Sequence, residues 1–332
     1  MTWGIIGHDA AVRWLQRQIE AHRVHHAYLF VGPRGVGRRT LARRFAQALN
    51  CLQPPRPGAF CGQCRVCRQI EQGQHPDFHV LEATGGLKVA AVRQAQQAWM
   101  LTPQEARYRV ALLPDVQHAT PAAANALLKT LEEPPDHLVL LLTASEPEAL
   151  LPTVVSRCEV VRLRPVARAT LEAALQARGV PARQAAEAAA WAQGRPGLAL
   201  RLAADPDARD AYAAQWRTAL ELLTQPLHQR LRFAEPFKPS QRDEARQVLL
   251  HWLAVWRTVW LMQWNPAVAN APPGWENTLR ALARALPRRQ TRARLDDLLT
   301  ALDDLERYAN PRLVLGAVLT RWPVVRLRDL KG

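Results

Sequence analysis

The chain is poor in lysine. Only Lys88, Lys129, Lys238 and Lys331 occur in 332 residues, although lysine and arginine together number 44. Acidic residues number 29, so the formal charge of +15 rests on arginine. Such a surplus suits nucleic acid or acidic protein surfaces as partners. An arginine- and alanine-rich composition also reflects genome composition or a hot habitat, and composition alone leaves both readings open. Long apolar runs are missing as well. No stretch approaches the ~18 uncharged apolar residues of a spanning helix, so no membrane partner is expected. The N-terminal "MTWGIIGHDAAVRWL" lacks a basic start followed by an apolar core, which argues against a secretion leader and for a cytoplasmic protein. Cysteines number five, but four crowd between positions 51 and 67, so scarcity here is not dispersal.

The length predicts two or three domains. Residues 1–165 alternate strand-like apolar runs ("HAYLFVG", "FHVLEA", "YRVALLPD", "HLVLLLTAS", "CEVVRLRP") with amphipathic helical stretches. Buried strands separated by helices predict an α/β domain with a parallel sheet covered on both faces. After Pro165 the strand signals stop. "ATLEAALQARG", "ARQAAEAAAWAQG" and "GLALRLAA" read as short helices across 166–205. From Pro206 to residue 332 the pattern is long and helical. There Trp252, Trp256, Trp260 and Trp264 recur every four residues, as a core or helix-packing stripe would.

Cys51, Cys61, Cys64 and Cys67 carry two overlapping C-x-x-C spacings in "CGQCRVC". Three thiolates can converge from one turn there, while Cys51 closes a tetrahedron from the end of the preceding helix. This set suits structural zinc, with all four positions taken by protein and none left for water or substrate. Disulfides are the competing reading, disfavoured in a chain without a leader.

"GPRGVGRRT" (32–40) follows an apolar strand and precedes the helix "LARRFAQAL". It carries the glycines of a phosphate-binding loop, Gly32, Gly35 and Gly37. In the working form G-x-x-x-x-G-K-[ST], lysine neutralises phosphate oxygens and the hydroxyl binds Mg²⁺. Here Arg38 takes the lysine position and Arg39 the hydroxyl position. A guanidinium is planar and bulky, and no cation ligates a cation. Thr40 comes one residue late and on another helical face. The second acidic motif is also altered. In "RVALLPDVQHA" Pro114 stands where the metal-supporting Asp belongs, and Asp115 where a water-orienting Glu belongs. Weak anion binding by Gly32, Gly35, Gly37, Arg38 and Arg39 is the most this loop is expected to retain, with no functional ATP/Mg site.

Three further segments carry a resemblance: "HAYLFVGPRGVG", "TPAAANALLKTLEEPPDHLVLLLTASEPEALLPTVVSRCEVVRL" and "ANPRLVLGAVLTRW". The chain resembles the clamp-loader AAA+ family of bacterial DNA polymerase III, and within it the delta-prime branch. The likeness is close over 1–165 and looser beyond. It implies an AAA+ α/β P-loop domain with a zinc insert at 1–165, a small helical lid at 166–205 and an all-helical collar at 206–332. It also implies assembly with gamma or tau and delta subunits into a ring that uses ATP to open the β sliding clamp and place it on primed DNA.

Within that resemblance Arg157 of Ser156-Arg157-Cys158 matches an arginine finger acting in trans on a neighbour's ATP. Ser145 matches a sensor position, and Cys158 reads as a buried thiol. Gly197 stands where ATPase relatives carry a second sensor arginine. The chain is therefore expected to be no enzyme on its own. It would instead be a non-hydrolysing part of the polymerase holoenzyme and its loader. Two alternatives remain open: an active ATPase of the gamma/tau type, and a zinc-stabilised DNA-binding protein. The basic cluster Arg280, Arg284, Arg288, Arg289, Arg292 and Arg294 is read as a solvated or subunit-facing surface.

Overall fold

A computed structural model describes residues 3–82, 86–265 and 271–325. Two compact units emerge: residues 1–178 with 193–199, and residues 179–192 with 200–332. The first unit runs α1 (Asp9–Glu20), β1 (Ala27–Val31), α2 (Arg38–Asn50), α3 (Arg65–Gln72), β2 (Phe78–Val80), α4 (Val89–Trp99) and β3 (Arg109–Leu113). It continues through α5 (Pro121–Glu132), β4 (Leu138–Ala144), α6 (Pro152–Val155), β5 (Glu159–Arg162) and α7 (Arg168–Gln176).

The five strands lie where the apolar runs predict them and form one parallel sheet in the order β2-β3-β4-β1-β5. β1, β3 and β4 are buried throughout. Their unbroken apolar runs hide a period of two, because successive side chains leave opposite faces of the sheet. Tyr28, Phe30, Val110, Leu112, Val139 and Leu141 pack against Leu15, Leu41 and Phe45 on one face. Leu29, Val31, Ala111, Leu113, Leu140 and Leu142 pack against Val92, Trp99, Leu127 and Leu131 on the other. β5 ends the sheet with Glu159 and Arg162 exposed, which discourages further strand addition.

A buried ion pair braces the edge beside β2. Asp77 is out of contact with water and accepts N–H bonds from Gln104, Glu105 and Ala106. Arg109 lies 3.2 Å from it. Burial alone would raise this carboxyl's pKa, but the three N–H groups and Arg109 outweigh it and hold the group below its ordinary value.

The second unit is helical: α8 (Ala182–Ala192), the later part of α9 (Pro196–Ala204), α10 (Pro206–Thr224), α11 (Leu227–Ala234), α12 (Arg242–Trp264), α13 (Glu276–Ala285), α14 (Arg288–Glu306) and α15 (Pro311–Arg321). The segment 166–205 is thus shared, with α7 and the start of α9 in the first unit and α8 in the second. α12 packs against α10, α13, α14 and α15. Trp252 and Trp256 are buried and meet Trp322 at 4.7 and 5.6 Å. The expected tryptophan stripe holds only at this end, since Trp260 is half-buried and Trp264 exposed. A four-residue step overshoots one turn by about 40°, so Trp264 has rotated by about 120° from Trp252.

Arg230 is buried with no carboxylate partner among the described residues. Its guanidinium donates to the carbonyls of Leu223 (3.0 Å), Gln225 (2.9 Å), Trp322 (2.7 Å) and Pro323 (2.8 Å). Val325 N–H returns to the Leu223 carbonyl at 2.9 Å. Among the described residues no helix is long and apolar enough to cross a membrane.

Removing the Asp77 charge should strand Arg109 in the core. Asp77→Asn is expected to cost about 3 kcal/mol in urea unfolding at neutral pH. An unfolded Asp titrates near pH ~4 and folded Asp77 lower, so its stabilisation is present above that value. It is lost as pH falls through the folded pKa, so the gap between wild type and variant should narrow below about pH 4.

Candidate functional site

The loop from Gly32 to Gly37 joins the C-terminal end of β1 to the N-terminus of α2, outside the carboxyl ends of the strands where open parallel sheets bind ligands. Its glycines are required. Gly35 and Gly37 have φ of 86° and 110°. A Cβ at Gly32 would sit 2.3 Å from the Leu163 carbonyl oxygen. The Gly32 N–H donates to the carbonyls of Ala144 and Ser145, so Ser145, the expected sensor, meets the loop through its backbone. Backbone geometry alone thus holds glycine at these three positions of the loop.

Its side-chain chemistry differs. Arg38 opens α2 with only 7% of its surface exposed, and its Nη2 donates to Asp115 Oδ1 at 2.7 Å. Asp115 follows β3 in a left-handed turn at φ 49°, and its N–H donates to Thr143 Oγ1 at 2.9 Å. Burial lowers the Arg38 pKa while Asp115 raises it back in part. The residue in the lysine position is therefore neutralised by the residue in the water-orienting position, a closed pair inside the chain. The second guanidinium nitrogen, Nη1, is buried without a hydrogen-bond partner among the described residues. Arg39 turns outward to pair with Glu82, and Thr40 is exposed. Of the expected anion-binding set, the two arginines are thus each committed to a carboxylate.

Above the loop, the start of α9 closes in. Gly197 N–H donates to the Gly35 carbonyl at 2.9 Å, and a Cβ on Gly197 would stand 3.1 Å from that oxygen. The position expected to lack a sensor arginine is a backbone contact point, too tight for a longer side chain without movement.

The four clustered cysteines do converge. Their sulfurs all lie within 4.8 Å of one another. The Cys51–Cys61 and Cys61–Cys67 separations are 3.6 and 4.0 Å. A zinc tetrahedron with Zn–S bonds of ~2.3 Å has edges of about 3.8 Å, whereas a disulfide needs ~2.05 Å. Cys51 caps the end of α2, and Cys64 caps the start of α3. N–H groups of Cys64 and Gln63 point at Cys61 Sγ from 3.2 and 3.4 Å. They hold its pKa down to about 6, whereas burial pushes Cys51 and Cys67 up. This donor set fits a closed structural zinc site. Gln47 Nε2 fastens α2 to the Cys67 carbonyl at 2.7 Å.

Arg157 follows α6, half-buried, with Nη2 2.8 Å from Glu132 at the end of α5 and Nη1 donating to the Thr153 carbonyl at 2.9 Å. Cys158 is only partly buried at the margin of a core layer rather than enclosed, and burial pushes its thiol up to about 12.

Sequence reasoning missed three partners: Thr143, Glu82 and Glu132. Only Thr143 left a trace. A lone hydroxyl within the apolar "LVLLLTA" has to be satisfied by something.

Comparison with known proteins bears on this constellation. The family described as "DNA polymerase III, delta subunit" matches residues 7–167. The delta' subunit of DNA polymerase III from Pseudomonas aeruginosa is 36% identical over 237 residues, 70% of either chain. The chain belongs to the clamp-loader AAA+ family of DNA polymerase III. The tau subunit of Escherichia coli is 38% identical over 154 residues, 46% of this chain but 24% of tau. This clamp-loader-family chain therefore spans about a quarter of the length of such tau relatives. Among solved structures, a gamma subunit-related protein from Thermotoga maritima overlaps at a TM-score of 0.38 and 18% identity, covering 93% of this chain and 97% of that one.

Metal analysis of protein purified without chelator should find about one zinc per chain, and Cys61→Ser should abolish it and lower the unfolding midpoint. Asp115→Asn should destabilise the fold by about 1–3 kcal/mol in urea titrations, because it leaves the Arg38 charge buried and unpaired.

Proposed function

We propose that the chain is a delta-prime-type subunit of a DNA polymerase III clamp loader that scaffolds the assembly without hydrolysing ATP. The observation that supports this most is the Arg38–Asp115 pair. It occupies the ground where a lysine, a magnesium ligand and a water-orienting carboxylate would have to act separately. Arg39 in the hydroxyl position and Pro114 in the metal-supporting position remove the other ligands that magnesium needs. In this reading residues 166–205 act as the lid and 206–332 as the collar. The four cysteines hold a structural zinc that stiffens the loop between α2 and α3.

Arg157 is the residue we assign to a neighbour's active site. Its pairing with Glu132 is half-exposed, and ion pairs of that kind contribute ~0–1 kcal/mol. A triphosphate presented by an adjacent subunit is a stronger partner, and a guanidinium supplied in trans stabilises charge on the transferring phosphoryl group. Gamma or tau and delta subunits are the partners, with the β sliding clamp and primed DNA reached through the assembly. The family's tau members favour a second reading, an active ATPase, but a cation in the magnesium-ligand position argues against it.

In a loader reconstituted with its other subunits, Arg157→Ala should lower clamp- and DNA-stimulated ATP turnover by about tenfold or more without preventing assembly. Unchanged turnover would remove the finger assignment. The isolated chain should hydrolyse no ATP, and magnesium-dependent hydrolysis abolished by a Gly37 substitution would favour the ATPase reading.

A further inference from the structure

The basic cluster of the helical unit divides in two. Arg292 and Arg294 face Asp296 and Asp297. Arg280, Arg284, Arg288 and Arg289 are exposed and have no carboxylate partner among the described residues. The connecting sequence 265–275 contains no acidic residue. Arg280, Arg284 and Arg288 line a depression of about 370 Å³ with Met262, Gln263, Ala283 and Leu286.

Trp264 stands beside this depression with 61% of its surface in water. Its ring is not loose. Arg288 lies over it at 4.2 Å from the centroid, Trp260 meets it edge-on at 5.8 Å, and Arg288 Nη2 is fixed by the Gln263 carbonyl at 2.8 Å. An indole left in water beside four self-repelling cations is unfavourable in the free chain on both counts.

We infer that this face binds single-stranded nucleic acid, with the arginines on phosphates and Trp264 stacked on a base. Each part of the surface serves that ligand. Guanidinium groups fit phosphate oxygens in bidentate geometry, and their charge releases the counterions of a polyanion. An aromatic ring held flat by a neighbouring cation offers a platform that any base can cover. Arg280 and Arg284 sit one turn apart on α13, and Arg288 and Arg289 open α14, so the charges follow a line rather than a point. Acidic protein segments satisfy arginines but leave the indole without a flat partner. The inference stands on α12, α13 and α14 alone and does not rest on the assignments of Arg157 or of the altered phosphate loop.

Fluorescence anisotropy of labelled oligo-dT and oligo-U with the full chain tests it. Three proteins are compared: wild type, the triple variant Arg280→Ala/Arg284→Ala/Arg289→Ala, and a control, Arg68→Ala/Arg201→Ala/Arg312→Ala, which removes equal charge from scattered exposed positions. The patch variant should bind at least about tenfold more weakly, with the slope of log affinity against log salt reduced by about 2 (about 0.7 per lost phosphate contact). The control should change affinity by less than about threefold. Trp264→Ala should lose about tenfold, and Trp264→Phe should recover much of it. Binding of either oligonucleotide with this pattern supports the inference, and their ratio says whether DNA or RNA is preferred. Equal losses in patch and control variants would overturn it. So would displacement of the oligonucleotide by poly-glutamate at equal charge, which would reassign the face to an acidic protein.

Discussion

The Arg38 guanidinium is almost wholly withdrawn from water and needs a partner for its charge there, and that partner is Asp115. The arrangement at the sheet's carboxyl edge follows from that need. Arg38 begins α2, so its demand for charge ties the helix to the turn after β3. Asp115 adopts a left-handed backbone to answer it, and Thr143 on β4 steadies the Asp115 N–H. Two strands and a helix are thereby drawn to one point. In a working phosphate loop the nucleotide and its metal would supply that cohesion. Here the chain supplies it from its own side chains.

Much of the first unit was legible in its sequence because its signals are local. Five apolar runs became five strands, and the spacing of Cys61, Cys64 and Cys67 already allowed their sulfurs to converge. The departures from the phosphate-loop pattern at Arg38, Arg39 and Pro114 could be named from single positions. What could not be read was pairing across distance. Nothing near Arg38 points to a residue 77 positions on, and nothing in "GRPG" says that Gly197 will donate to Gly35. Nothing in the sequence around Asp77 marks its burial. Only the fold reveals three N–H groups and Arg109 around it.

The helical unit was less legible for another reason. A repeat of four is close to a helical turn but does not equal it, and the error accumulates. Trp252 and Trp256 belong to the core and Trp264 to the surface because the helix carries the stripe around its axis. The same drift separates the roles of identical residues, so that a spacing rule can find the helix without saying where its apolar face ends. The arginines behave likewise. Six similar residues become two that face an aspartate farther along α14 and four with no carboxylate partner among the described residues.

Arg230 has a consequence for the order in which the chain is made. It is satisfied by carbonyls at Leu223 and Gln225 that are close in sequence, and by others at Trp322 and Pro323 some ninety residues later. Until those later residues leave the ribosome, the guanidinium has only part of its shell and must stay hydrated. The sheet, by contrast, has all of its strands once β5 has emerged. The helical unit must therefore close late and from both ends at once, while the α/β unit can gather first. The last turn of α15 and the few residues after it act as the latch of that unit, not as its fringe.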